Sequence, residues 1–573
     1  MAPPRWRFGR EVLEKIQRWF GLHPYWAVTL VVLAALVPFL AKPFNIDEPL
    51  FVWTARQIQM HPGNPYGFDV NWYGREMPMS VVTYNPPLAC YYLALAAKIL
   101  GWSEAGLHAA FLLPALAVIW GTYRLARRLC RWPLLAAFAT LFTPVFLVSA
   151  MTVMCDVLML AFWIWAVLLW LEGMERNHFW KLAAAGLLIG LAALTKYYGA
   201  CLIPLLAAYS LIDKRRLGWW AIHLLIPVAM LCVYQLASRS LYGHPLFTNA
   251  IDSATSIKRM YGFSRMAVAV TGLTFTGGCL AVAFFFVPLL WRTQVLAGFT
   301  AGAIVLATML YLAGALFENY PFFQADTEPT MEAQIVLWAV VGAWVLALAA
   351  ADIWSARDPR SWLLVLWVFG TFLFTTAFSQ FVNGRSILPM APAVGILLIR
   401  RLERSPVVNE KTRARAGTVC LTLGALFALL VARADFRLAT AVRQCAQQTC
   451  VRYGHTQTIL WFQGHWGFQY YMEAFGASAL EFGHSSLKAG DMLVIPANNT
   501  NIRPPRPEEI ASYEMIVVVG PHLLTTMNLT MGAGFYASAI GPLPFVFGRV
   551  PPENASVCVL GPPLFVPAQI PKS

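Results

Sequence analysis

Residues 133–171 read PLLAAFATLFTPVFLVSAMTVMCDVLMLAFWIWAVLLWL, a run whose one charged residue is Asp156. About 20 apolar residues in a helix cross a hydrocarbon core of roughly 30 Å. The run therefore holds two crossings with a turn just before Asp156. The rest of the chain agrees: of 573 residues 58% are hydrophobic and 12% charged, where soluble domains carry about a quarter. A soluble enzyme, a disordered chain, a collagen and a disulfide-knotted module are excluded by that balance and by ten scattered cysteines.

The length rule predicts spans near 25–41, 104–123, 133–150, 157–171, 180–194, 198–212, 218–237, 266–290, 294–315, 333–351, 361–378, 386–400 and 417–432, thirteen in all. Lys and Arg are retained on cytoplasmic loops, and with the N-terminus inside they alternate: 23 fall on inner segments, among them Arg5, Arg7, Arg10, Lys15, Arg18, Arg124, Arg128, Lys181, Arg360, Arg400 and Arg404, against 10 outside. The net charge of +14 thus reads as an orientation signal, with no nucleic-acid partner. Residues 88–100 are too short to cross and carry Lys98, and parity places them as a helix along the outer interface. The fold class is mainly α: a polytopic membrane domain over 1–432, with a first outer loop at 42–87, followed by a small outer α/β domain over 433–573. Runs rich in β-branched and aromatic residues at Thr458–Phe462, Met492–Ile495, Met515–Val519 and Ser556–Leu560 are its predicted strands. Cys445, Cys450 and Cys558 lie there, where a disulfide is open.

Ionisable residues at membrane depth are costly and mark function or a partner. Four places stand out, all at outer span ends: Asp47-Glu48, Asp156, Lys196 beside Tyr197, and Arg385. Each has a plainer reading: a helix cap for the acids, a snorkelling lysine, an arginine on headgroups. Together they suit one cavity for an anionic lipid headgroup, with a carboxylate to take a proton and cations to stabilise a departing phosphate. Asp69, within the aromatic stretch 66–74, either recognises a sugar or packs its loop; His465 and Trp466 either meet a sugar or pack the outer domain against the membrane domain. His455, His465 and His484 lack the compact spacing of a zinc site, so no metal site and no cofactor are predicted, with a divalent ion left open. Phosphate-loop, His-Glu-x-x-His and Gly-x-Ser-x-Gly patterns are missing from the sequence, against an ATP-driven pump, a metalloprotease and a typical serine hydrolase.

Asp47-Glu48 after the first span, Asn85-Pro86-Pro87-Leu88, Asp156, Gly190 to Tyr197 and Gly384-Arg385-Ser386-Ile387-Leu388-Pro389 resemble, in order and spacing over about residues 20–400, the polytopic C-superfamily glycosyltransferases. The bacterial branch with lipid A aminoarabinose transferases and relatives of protein O-mannosyltransferases is the nearest in pattern. The resemblance implies a sugar donor on a polyprenyl phosphate, a hydroxyl acceptor on lipid, glycan or protein, and a bacterial inner membrane with the C-terminal domain in the periplasm. It implies Asp47 as general base, Glu48 orienting it and Asp156 holding acceptor or sugar, with inversion at the anomeric carbon. Lys196, Arg385 and Asn85 would hold the donor phosphate, and Tyr84 and Tyr197 would line the substrate site. Where the aminoarabinose branch commonly has Lys before the first-loop Pro, Asn85 stands here, so neither that sugar nor lipid A is carried over. The competing class is a transporter or lipid-linked-sugar flippase. It is disfavoured by the odd span count and by polar residues at span ends, away from the midplane.

Overall fold

The computed structural model describes residues 21–262, 264–312, 328–405, 407, 409–454 and 459–562; the N-terminal basic cluster, His455 and Thr458 lie outside them. The chain is mainly helical. Among the described residues six helices are long and apolar enough to span a membrane: Glu104–Leu129, Cys155–Arg176, Trp219–Tyr242, Thr330–Ala356, Pro359–Phe378 and Thr412–Tyr453. Two bent pairs bring the count to eight, and Pro24–Phe39, Leu88–Leu100, Phe179–Thr195 and Thr293–Leu306 are shorter apolar helices. The thirteen expected crossings therefore meet fewer continuous helices.

The breaks have local causes. Residues 133–150 divide into Pro133–Leu141 and Pro144–Ala150, bent by 64°. Pro144 drives Thr143 to extended backbone (φ −86, ψ 139), and the Thr143 hydroxyl then caps the second half by accepting from the Phe146 amide. Residues 266–290 turn by 88° between Arg265–Cys279 and Val282–Leu290, just after Gly277-Gly278, a helix-bending pair. Gly277 also allows a close crossing: a Cβ there would lie 1.9 Å from the Trp338 carbonyl oxygen, and one on Gly342 would lie 2.1 Å from that of Leu273.

Several of the acids outside the expected site pair with basic residues next to helix ends. Glu172 meets Arg124 (3.4 Å) and Lys181 (2.5 Å), Glu175 meets Arg128 and Arg360, and Asp352 meets Arg400 (3.1 Å) and Arg404 (3.3 Å). Asp47, Asp156, Lys196 and Arg385 gather elsewhere, around a single cavity.

The last predicted span belongs to one helix, Glu410–Tyr453, that runs on through the expected boundary at 432. Beyond it a five-stranded sheet has the order Ser478–Ala479, Leu460–Phe462, Met492–Pro496, Glu553–Leu560, Ile510–Val518, parallel among the first three strands and antiparallel among the last three. The four predicted strand runs all fall in it. Phe462, Val494, Ile516 and Val557 pack one sheet face on Ala446 and Cys450 of the long helix and on Met472 of Trp466–Ala474. All ten cysteines are free thiols, Cys445, Cys450 and Cys558 included.

Candidate active site

Asp47 stands at the N-terminal edge of the helix Glu48–Met60, yet its side chain makes no cap hydrogen bond. Its neighbour Glu48 points the other way and is fully buried: its carboxylate accepts from the Asn45 amide (2.8 Å) and the Val153 amide (2.9 Å), and lies 3.2 Å from His108 Nε2 and 3.8 Å from Lys42 Nζ. Just before the two acids stands Ile46, whose φ of +53 puts a β-branched residue in the left-handed region. Such an outlier costs about 1–3 kcal/mol and persists only where surroundings impose it. The buried contacts of Glu48 anchor the turn that follows, and Asp47 faces the cavity.

At that cavity Asp47 Oδ2 meets Arg385 Nη2 at 2.8 Å, and the lining Lys196 Nζ meets Oδ1 of Asp156, which is buried behind the wall, at 2.6 Å. Asp156 lies in the first turn of Cys155–Arg176 and Lys196 just past the end of Phe179–Thr195. Arg385 sits on the short helix Gly384–Ile387, which Asn383 caps by accepting from the Ser386 amide (2.8 Å). Arg385 also reaches Met154 Sδ (3.2 Å), beside Asp156. Among the described residues, Asp156 Oδ2 and Arg385 Nε are buried without a hydrogen-bond partner, an arrangement that favours a polar ligand.

The cavity measures about 1120 Å³. Asp47, Lys196 and Arg385 line it with the aromatics Trp72, Tyr73, Tyr84, Tyr197 and Trp466, and with Asn85. Phe247, Ile251, Phe374, Phe378 and Phe381 supply an apolar side, on which Ile251 and Phe378 are exposed. Three further cations, Lys258, Arg259 and Arg265, also line it. In the sequence they are three of the 10 outer basic residues, and their one signal there is that they lie close together on the side where basic residues are sparse. Lys258 donates to the carbonyls of Thr376 (2.5 Å) and Ala377 (3.0 Å) in the π-helical turn Phe374–Phe378, and burial lowers its pKa.

Not every expected residue reaches the cavity. Glu48 and Asp156 do not line it: Glu48 is buried in the turn behind Asp47, and Asp156 is buried behind Lys196, which it pairs with. Asp69 lies exposed on a two-stranded hairpin, paired with Pro78. His465 is buried, its ring 3.3 Å from the Thr500 hydroxyl and its backbone amide on Asn499; burial pulls its pKa down to about 3, so the ring is neutral. Trp466, at φ +66, does line the cavity, because Gly467 lets its helix approach to where a Cβ would lie 2.3 Å from the Phe44 carbonyl oxygen. Among the described residues no three His, Cys, Asp or Glu side chains gather as metal ligands would.

Residues 84–242 match the family model of dolichyl-phosphate-mannose-protein mannosyltransferases. That stretch runs from Tyr84 through Asp156 to Lys196, and the match supports the resemblance to membrane glycosyltransferases read from the ordered motifs. No curated protein matches the chain by sequence. Among solved structures it is similar to the oligosaccharyltransferase of Archaeoglobus fulgidus tethered to an acceptor peptide (13% identity, TM-score 0.47, 81% of this chain). This chain spans 64% of the archaeal enzyme's length. It is similar also to ArnT from Cupriavidus metallidurans bound to undecaprenyl phosphate (14% identity, TM-score 0.49, 84% of this chain and 93% of that one).

Proposed function

We propose that this chain is a membrane-integral glycosyltransferase that moves a sugar from a polyprenyl phosphate to a hydroxyl on a lipid, glycan or protein acceptor. The observation that carries the proposal is that Asp47, Arg385 and Lys196, from distant parts of the chain, line one cavity with an apolar side, Asp47 paired with Arg385 and Lys196 held from behind by Asp156. A lipid-linked phosphate fits such a place: the prenyl chain lies along Phe247, Ile251 and Phe378, and the phosphate draws on Arg385 and Lys196. An arriving phosphate competes with Asp47 for Arg385. The carboxylate it frees takes the proton of the acceptor hydroxyl while that oxygen bonds to the anomeric carbon. The bond from that carbon to the phosphate oxygen breaks, configuration inverts, and polyprenyl phosphate departs with its charge met by Arg385 and Lys196. Asp156 holds Lys196, and through its free oxygen a hydroxyl of sugar or acceptor. Trp466, Tyr84 and Tyr197 contribute ring faces to a sugar, and Asn85 a neutral amide near the phosphate.

In this reading the chain crosses the bacterial inner membrane thirteen times, with the N-terminus and the Glu172–Asp352 end cytoplasmic. The site and residues 433–573 are periplasmic, and no cofactor is proposed, with a divalent ion left open. The test is transfer by the purified chain in lipid from a panel of radiolabelled polyprenyl-phosphate sugars to a membrane extract, beside Arg385→Gln. Transfer by wild type, lost at least tenfold in the variant and inhibited by undecaprenyl phosphate, supports the reading. Vectorial movement of labelled lipid without glycosidic-bond formation would instead establish a flippase.

A further inference from the structure

Arg385 has little of its own to hold it. Its helix, Gly384–Ile387, is four residues long, too short to be stable unaided. The support comes from more than a hundred residues away in sequence. The Gly384 amide donates to the Phe535 carbonyl (2.7 Å), and the Ser538 amide donates to the Val382 carbonyl (2.8 Å). A Cβ on Gly384 would lie 2.7 Å from the Phe535 ring, so glycine is what lets the two strands of chain close up. Between these two bonds stands Tyr536, with the Arg385 guanidinium 5.7 Å from its ring centroid.

Tyr536 is in turn tied down. Its hydroxyl donates to the Asp435 carboxylate (3.0 and 3.1 Å), which also accepts from the Thr526 hydroxyl (2.7 Å) and pairs with Lys42 Nζ (2.9 Å). Lys42 and Asp435 are buried to 1% exposure or less. Burying such a pair is poor value for stability alone, and its best-attested use is to fix one arrangement. Lys42 also faces Glu48, the acid that shapes the turn behind Asp47. A single buried chain, Glu48, Lys42, Asp435, Tyr536, thus connects the supports of Asp47 and Arg385.

We infer that Tyr536 is a positioning residue for Arg385, and that with Asp435 and Lys42 it sets the register between the proposed base and the proposed phosphate ligand. The inference rests on the role given to Arg385 above. It makes the segment 526–538 part of the active site.

The test uses the full chain in lipid nanodiscs, with Tyr536→Phe removing one oxygen and Asp435→Asn keeping size while removing the charge. Hydrogen exchange at the Gly384 amide should quicken at least tenfold in both, with exchange in Cys155–Arg176 unchanged. Affinity for undecaprenyl phosphate, the probe, should fall about tenfold in Tyr536→Phe. In an Arg385→Gln background the same substitution should change it less than twofold, because its effect passes through Arg385. Unchanged exchange at Gly384 in both variants, or an equal loss of affinity with and without Arg385, overturns the inference. Failure of wild type to bind the probe counts against the phosphate reading alone, since the exchange measurement still decides whether the clamp exists.

Discussion

Asp47 and Glu48 are adjacent carboxylates with opposite fates: Asp47 faces the cavity from the edge of its helix, while Glu48 is buried among Asn45, His108, Lys42 and Val153. Sequence shows two acids after a span, which is enough to locate the site, since charge at that depth must have a partner or a task. It does not show which acid faces the cavity, because the partners that bury Glu48, namely Lys42, His108 and Val153, come together only in the fold. Asp156, Lys196 and Arg385 were legible for the same reason of cost, whereas Lys258, Arg259 and Arg265 were masked by their plain reading as loop charges. A separate residue-scale prediction concerns Glu553, buried against Asn498 (2.9 Å), whose pKa burial pushes up to about 7 from 4.5. Between those values the unfolded chain ionises while the folded one keeps its proton. Stability therefore falls as pH rises through that window, by about 3 kcal/mol in full above pH 7. Glu553→Gln escapes the loss: its thermal midpoint should exceed that of wild type at pH 8.5 and converge with it at pH 4.5. Equal midpoints at both pH values would contradict the buried, protonated Glu553.

At the scale of elements, apolar length located the helices but not their breaks. Pro144 signalled a break, and Gly277-Gly278 signalled flexibility, yet only packing decides that the chain turns by 64° and 88° there. The first bend leads Pro144–Ala150 to Met154, beside Arg385; no periodicity in residues 133–171 encodes that approach. The crossing of Gly277 and Gly342 brings backbone against backbone, which only small residues allow. Gly342→Val should therefore destabilise by about 1–3 kcal/mol, read as a lowered thermal midpoint in detergent, while a control at Gly370, where a Cβ would meet nothing within 4 Å, should change little. A wild-type midpoint in Gly342→Val would mean the two helices stand further apart than described.

At the scale of the molecule, the alternation of basic loops converts local counts into a proposed orientation, in which the loops joined by the ion pairs of Glu172, Glu175 and Asp352 face the cytoplasm. An impermeant maleimide should label Asp69→Cys from outside intact cells and Glu175→Cys only after permeabilisation, in a chain with Cys232→Ser; the reverse pattern would invert the proposed orientation. Least legible was the way the last hundred residues close on the membrane helices. Composition marks a separate domain after 432, but Phe535, Tyr536 and Ser538 reach the turn that bears Arg385, a contact that no local pattern announces. Everything proposed for the whole converges on Asp47 as the group that takes the acceptor proton. The direct measurement is single-turnover transfer by wild type and Asp47→Asn, with undecaprenyl phosphate affinity determined on the same samples. The account predicts a rate loss of at least a hundredfold, about 2.7 kcal/mol of barrier, with phosphate affinity kept or improved, since Asn no longer competes as a carboxylate for Arg385. Transfer at the wild-type rate in Asp47→Asn would contradict it.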